Sequence, residues 1–232
     1  MAGTPRDRAR ARTMADIVRI GRQHLATDGA AALSLRAVAR DLGVVSSAVY
    51  RYVRSRDELL TLLVVDGYDE LGDAVDRALE GVPADDYRGR QEAIARAVRG
   101  WGLAEPATYA LLFGGPVPGY RAPAEQTTVP GTRVVFALVQ VWSEAYAAGR
   151  LAPPAVTVAS PGLAGGFAGI RDELALEIPD GLIAAALFAW AALFGCISWE
   201  VFGQYGPEGV GDPEALFELH LERLAAAVGL DG

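Results

Sequence analysis

The chain has 232 residues, of which 51% are apolar and 22% charged. That balance excludes a disordered or fibrous polymer and allows one or two packed domains with a sizeable core. The net charge of −8 is unevenly spread. Residues 1–56 hold eleven arginines against four acids, a net +7, and residues 57–232 hold ten arginines against 25 acids, a net −15. A basic head on an acidic body is the footprint of a protein that sets one end against nucleic acid. Cys196 is the single cysteine, so no intramolecular disulfide forms. The first residues lack the apolar core of a signal peptide, so the cytoplasm is the expected compartment. Lysine is absent, and no physical argument accounts for it.

Alanine, leucine and arginine dominate and β-branched runs are scarce, which predicts an all-α chain. Residues 1–12, with arginine at alternate positions, read as a mobile basic tail. Met14, Ile17, Val18, Gly21 and Leu25 then mark an amphipathic helix that ends at Asp28-Gly29. Ser34 is a candidate N-cap for a short second helix, Leu35 to Leu42. Gly43 breaks it, and a third helix runs from Ser46 or Ser47 to Val53. Ser55-Arg-Asp-Glu58 has the capping-box pattern and opens a long fourth helix to about Glu80. The acids along that helix are expected to form a solvated face and not a metal site.

Further helices are expected around Ile94–Trp101, over 106–113, from about 131 to 149, and over 160–176. A Pro/Gly-rich loop precedes Pro130. Gly181 to Trp199 is uncharged and nearly long enough to span a bilayer. No cluster of positive charge flanks it, and a helix buried on all sides gives the same pattern. Asp212-Pro213 opens a last helix with Phe217, His220, Leu221, Leu224 and Val228 on its apolar stripe. The resulting division is a tail, 1–12, a head, 13–56, and a larger helical domain, 57–232.

Helices two and three have the dimensions of a helix-turn-helix, with a short glycine-containing turn and a second helix fit for a major groove. The candidate outward side chains are Ser46, Ser47, Tyr50, Arg51 and Tyr52. Serine suits base edges or phosphates and tyrosine hydroxyls suit phosphate oxygens. Arg36 opens the second helix, and Arg54 and Arg56 lie just beyond the third, so cations stand at both ends of the reading helix.

The run L-S-L-R-A-V-A-R-D-L-G-V-V-S-S-A-V-Y-R-Y-V-R-S-R-D-E-L-L, residues 33–60, resembles the DNA-binding domain of TetR-type transcriptional repressors. The likeness covers about residues 13–60. It implies a homodimer of nine or ten helices on a palindromic operator. It also implies phosphate contacts from Tyr50 and Tyr52, Arg36, Ser46, Ser47 and Ala48 near bases or backbone, and Arg56 as a phosphate clamp. F-G-G-P-V-P-G-Y (113–120) and W-A-A-L-F-G (190–195) resemble the subgroup with a WHG C-terminal domain, with Phe194 where that motif has histidine.

A repressor of this plan needs an apolar cavity between helices. The candidate linings are Trp101, Tyr109, Phe113, Trp142, Tyr146, Phe167 and Phe194, which suit a hydrophobic effector. Arg133 and Arg171 are expected to be solvated or ion-paired and not to anchor an acid. Pairing of two copies is expected through the helices over 182–202 and 213–228, with Ala185, Ala189, Ala192, Phe217, His220, Leu221 and Leu224 in the interface. No nucleophile elbow, P-loop or dinucleotide fingerprint occurs. His24 and His220 have no metal-ligand spacing around them. The expectation is a regulator without a cofactor, metal or membrane anchor. The rivals are a helical small-molecule-binding or catalytic protein and a regulator tethered through 181–199.

Overall fold

The computed structural model describes residues 4–206 and 209–230. Ten α-helices follow one another, with no strand among the described residues. They are α1 (Pro5–Asp28), α2 (Leu35–Asp41), α3 (Ser46–Tyr50), α4 (Arg56–Leu79), α5 (Tyr87–Ala104), α6 (Pro106–Phe113), α7 (Ala124–Ala147), α8 (Pro161–Leu174), α9 (Asp180–Val201) and α10 (Pro213–Val228). A 3₁₀ turn, Ala30–Ala32, links α1 to α2.

The chain divides into two compact units. One comprises the described residues up to Gly72 together with Ala104–Thr132, and the other comprises Asp73–Leu103 and the residues from Arg133 on. The division therefore falls inside α4, whereas the change in charge suggested residue 57.

In the first unit, α1 begins at Pro5, so the segment expected as a tail is helical. Thr4 caps it. Its hydroxyl accepts from the Asp7 amide at 3.2 Å, and the Thr4 amide donates to the Asp7 carboxylate at 3.0 Å. Proline at the first helical position completes the start signal. Residues 1–3 of the expected tail lie outside the described residues.

The core here is Ile17, Ile20 and Leu25 of α1, Leu35 and Val38 of α2, Val49 of α3, Val53, and Leu59, Leu60 and Leu63 of α4. The turn between α2 and α3 pivots on Gly43, whose φ of +69° favours glycine. The Ser34 side chain makes no capping bond. At α4 the Ser55 hydroxyl accepts from the Glu58 amide at 3.1 Å, while Glu58 reaches back to the Arg54 amide at 2.7 Å, one residue before the usual box partner. Arg22 of α1 meets Asp66 at 3.2 Å and Glu70 at 2.6 Å, both on α4, and Glu105 at 2.8 Å, just before α6. Helices α4 and α6 approach so closely at Gly67 that a Cβ there would stand 2.6 Å from Thr108 Cγ2.

Helix α7 starts at Ala124 and carries Pro130 inside it, so the expected loop is shorter than its composition suggested. The amides of Gln126 and Thr127 and the Thr127 hydroxyl all bond to the Pro123 carbonyl and start the helix upstream. Pro130 then forfeits one backbone bond near the N-terminal end.

The second unit packs α9 against α10, with Leu182, Leu193 and Ile197 of α9 and Phe217, Leu221 and Val228 of α10 buried. Ion pairs brace it. Arg99 holds Glu200 through two bonds of 2.7 Å and also reaches Glu214. Arg96 holds Glu218, and Arg90 holds Glu144. Helix α9 has a mean hydropathy of 2.0 and is long enough to cross a membrane, with 44% of its apolar window buried inside the chain. Among the described residues no group of three His, Cys, Asp or Glu side chains could hold a metal ion.

Candidate nucleic-acid interface and effector cavity

The apolar residues of α2 and α3 turn inward, which leaves their polar positions outside. Arg36, Ser47, Tyr50 and Arg51 are exposed, and Ser46, Ala48 and Tyr52 are half-buried. These seven lie on one short stretch of helix-turn-helix. Tyr52 packs against the core, and the Arg10 guanidinium stands 5.3 Å from its ring centroid. The arginine-rich start of α1 is thereby joined to the end of the reading segment through a cation–π contact.

Arg56 differs from the expectation of an outward clamp. It donates to the carbonyls of Ala30 at 2.9 Å and Ala31 at 3.3 Å, and its Nε is buried. It therefore holds the 3₁₀ turn between α1 and α2 to the start of α4. His24, with a largely buried side chain, hydrogen-bonds Asp41 at 2.6 Å and ties α1 to the end of α2. That bond holds the Asp41 carboxyl below the usual carboxylate range.

Sequence reasoning missed Val45. It precedes α3, and its side chain is 71% exposed, with Val44 44% exposed beside it. A Val-Val pair after a turn glycine reads as core, and only the path of the turn shows that it is not.

Residues 13–63 match the family described as bacterial regulatory proteins, tetR family. Residues 92–224 match the tetracyclin repressor-like C-terminal domain. The chain belongs to the TetR family. It is 46% identical over 226 residues to the HTH-type transcriptional regulators Rv1816 of Mycobacterium tuberculosis and Mb1846 of Mycobacterium bovis, covering 97% of this chain and 96% of each relative. The crystal structure of the regulatory protein SCO4313 superposes with a TM-score of 0.76 at 33% identity, over 96% of this chain and all of that one. This TetR-family protein is accordingly an all-helical, DNA-binding transcriptional regulator.

The aromatic residues expected to line one pocket are divided between the two units. Tyr109 and Phe113 are in the first unit, with rings 5.0 Å apart, and Phe113 meets Tyr68 edge-on at 6.1 Å. Trp101, Trp142 and Phe167 are buried in the second unit, and Tyr146 is half-buried. Phe194 packs on Trp190, with centroids 4.3 Å apart. A cavity of about 270 Å³ lies in the second unit between α7, α8 and α9, and of the seven candidates only Trp142 lines it. Its walls are mostly aliphatic, so the aromatic residues of the sequence do not mark it. Arg133 pairs with Asp73 and Asp76, and Arg171 with Asp180 at 2.5 Å.

Most of the residues expected in the pairing of two copies are covered within one chain. Ala185, Ala189, Phe217, Leu221 and Leu224 are buried, and Ala192 and His220 are half-buried. The exposed stripe of α9 is Leu187, Phe188, Ala191, Gly195 and Trp199, with Leu219 exposed on α10. An all-apolar helix carries no polar face to show which side a second helix will take.

Proposed function

We propose that this regulator is a repressor that binds a palindromic operator as a homodimer and is released by a hydrophobic small molecule. The observation that carries the reading is the outward set Arg36, Ser47, Tyr50 and Arg51 on a helix-turn-helix whose head has a net charge of +7. In this reading Ser46, Ser47 and Ala48 approach base edges, and Arg36, Tyr50, Arg51 and Tyr52 hold phosphates on either side of the groove. Val45 supplies an apolar contact of the kind a thymine methyl accepts. Arg56 acts behind this face by fixing the turn that α2 follows.

Two copies pair through the exposed stripe of α9 and Leu219 of α10, an isologous four-helix contact that would set two reading helices about 34–36 Å apart. An effector that binds better to a differently spaced dimer lowers operator affinity by its differential affinity for the two states. The cytoplasm is the compartment in which such a protein meets DNA, and regulation, not catalysis, is its role.

The test is a footprint on the DNA upstream of its own gene. Protection of two half-sites about one helical turn apart supports the reading, and no protection at low salt refutes it. Fractionation addresses the tethered alternative, because a pellet that survives high salt would assign α9 to a bilayer.

A further inference from the structure

Helix α7 contains Thr127, Thr128, Thr132 and Ser143, and two of the threonines make the same bond. Thr127 Oγ1 donates to the Pro123 carbonyl at 3.0 Å and Thr132 Oγ1 to the Thr128 carbonyl at 2.9 Å, the usual i−4 bond for such residues inside a helix. Ser143 does not follow them. Its Oγ is buried without a hydrogen-bond partner, and it lines the cavity between α7, α8 and α9. A buried hydroxyl left unpaired is costly, so its persistence calls for a partner from outside the chain.

The rest of the lining defines that partner. Val139 and Trp142 of α7, Leu174 of α8, and Leu182 and Trp190 of α9 stand among the wall residues, and none of the lining side chains is ionisable. The Trp142 indole N–H is already donated to Gln91 Oε1 at 2.7 Å, which fixes that ring as a wall. The nearest cation in sequence, Arg171, is paired with Asp180. Ala175, between the lining residues Leu174 and Leu176, has φ +50° and ψ +47° and is the sole non-glycine residue with positive φ among the described residues. That conformation is the left-handed cap that ends α8, with the Ala175 amide donating to the Arg171 carbonyl. A shallower hollow that reaches Gln140 and Glu144 shares Val139, Ser143, Leu174 and Leu176 with the cavity and offers an approach from solvent.

We infer that this cavity is a ligand site for an uncharged, mainly hydrocarbon molecule carrying one hydrogen-bonding group, which pairs with Ser143 Oγ. An apolar cavity of about 150 Å³ accepts benzene, so about 270 Å³ suits a bicyclic body of roughly ten to twelve heavy atoms. The inference deepens the effector reading and rests on it for its regulatory meaning, but the site is testable without DNA.

The probes are 2-naphthol, naphthalene and 2-naphthoate, titrated into the full-length protein and followed by tryptophan fluorescence, because Trp142 and Trp190 both line the cavity. The expected order is 2-naphthol about fivefold tighter than naphthalene, from one hydrogen bond, and 2-naphthoate at least about tenfold weaker than 2-naphthol, from burying an unpaired charge. Ser143→Ala should erase the naphthol preference and leave naphthalene affinity unchanged. Ala186→Phe, which fills the cavity from α9, should abolish binding of both. No binding by either neutral probe, equal binding of 2-naphthol and naphthalene by the parent, or a preference that survives Ser143→Ala overturns the site. Binding that follows this pattern but leaves operator affinity unchanged would sustain the site and refute its assignment as the effector's seat.

Discussion

The exposed stripe of α9 makes a quantitative demand on self-association. Phe188 is 63% exposed and Trp199 55%. Large aromatic side chains present about 150–250 Å² for burial, so each of these leaves roughly 120 Å² in water. At about 25 cal/mol per Å² that is roughly 3 kcal/mol per residue if fully covered. An isologous contact covers each residue twice, which gives an upper figure of about 6 kcal/mol per dimer for Phe188 alone. Association recovers only part of an area-based figure, and half of it is about 3 kcal/mol, roughly a hundredfold in the dimer dissociation constant. Phe188→Ala should therefore weaken pairing by about two orders of magnitude in a sedimentation-equilibrium dilution series. The fold itself should not suffer, since alanine is the better helix former at an exposed position. Leu221→Ala is the control from the buried face: at 1% exposure it should cost the fold about 2–5 kcal/mol in a denaturant titration. If Phe188→Ala and Trp199→Ala both pair like the parent, this face does not join two copies.

Arg36→Ala should weaken operator binding and flatten the log K against log salt slope by about one unit per half-site, measured by gel shift across a salt series. Arg56→Gln should act differently, lowering the melting temperature through loss of the Ala30 and Ala31 carbonyl bonds; an unchanged melting temperature would return Arg56 to the role of an outward clamp. Val45→Ser should relax a thymine preference by about fourfold per half-site, the worth of roughly one buried methyl, as read by selection from randomised operators. Burial holds His220 below its ordinary imidazole value, so the neutral form is favoured in the fold. Its contribution is then complete above about pH 6.5 and lost as pH falls through the lowered folded value. Thermal melts between pH 7 and 5 should show a smaller loss for His220→Gln than for the parent.

Much of this was legible in the chain. Gly43, the S-x-x-E run before α4 and Asp212-Pro213 before α10 are local signals backed by local hydrogen bonds, and they placed the reading head and the last helix. Thr4-Pro5-Arg6-Asp7 is an equally local start signal, but the alternating arginines after it drew attention to charge and hid the helix. Other features depend on packing that no short window encodes. The side of α9 that meets α10 cannot be read from a helix that is apolar all round. Val45 owes its exposure to the path of the turn, and Ser143 became conspicuous only when its hydroxyl was seen to lack the bond made by Thr127 and Thr132. The aromatic residues were found easily, yet most of them fill interiors, while the cavity is walled by valine, leucine and isoleucine.

The Arg22 guanidinium meets carboxylates from two stretches of chain far apart in sequence, on α4 and just before α6. Such a joint resists both pull and twist, because no single carboxylate can let go without the other two retaining the grip. One side chain of α1 thus ties the middle of α4 to the start of α6 within the first unit.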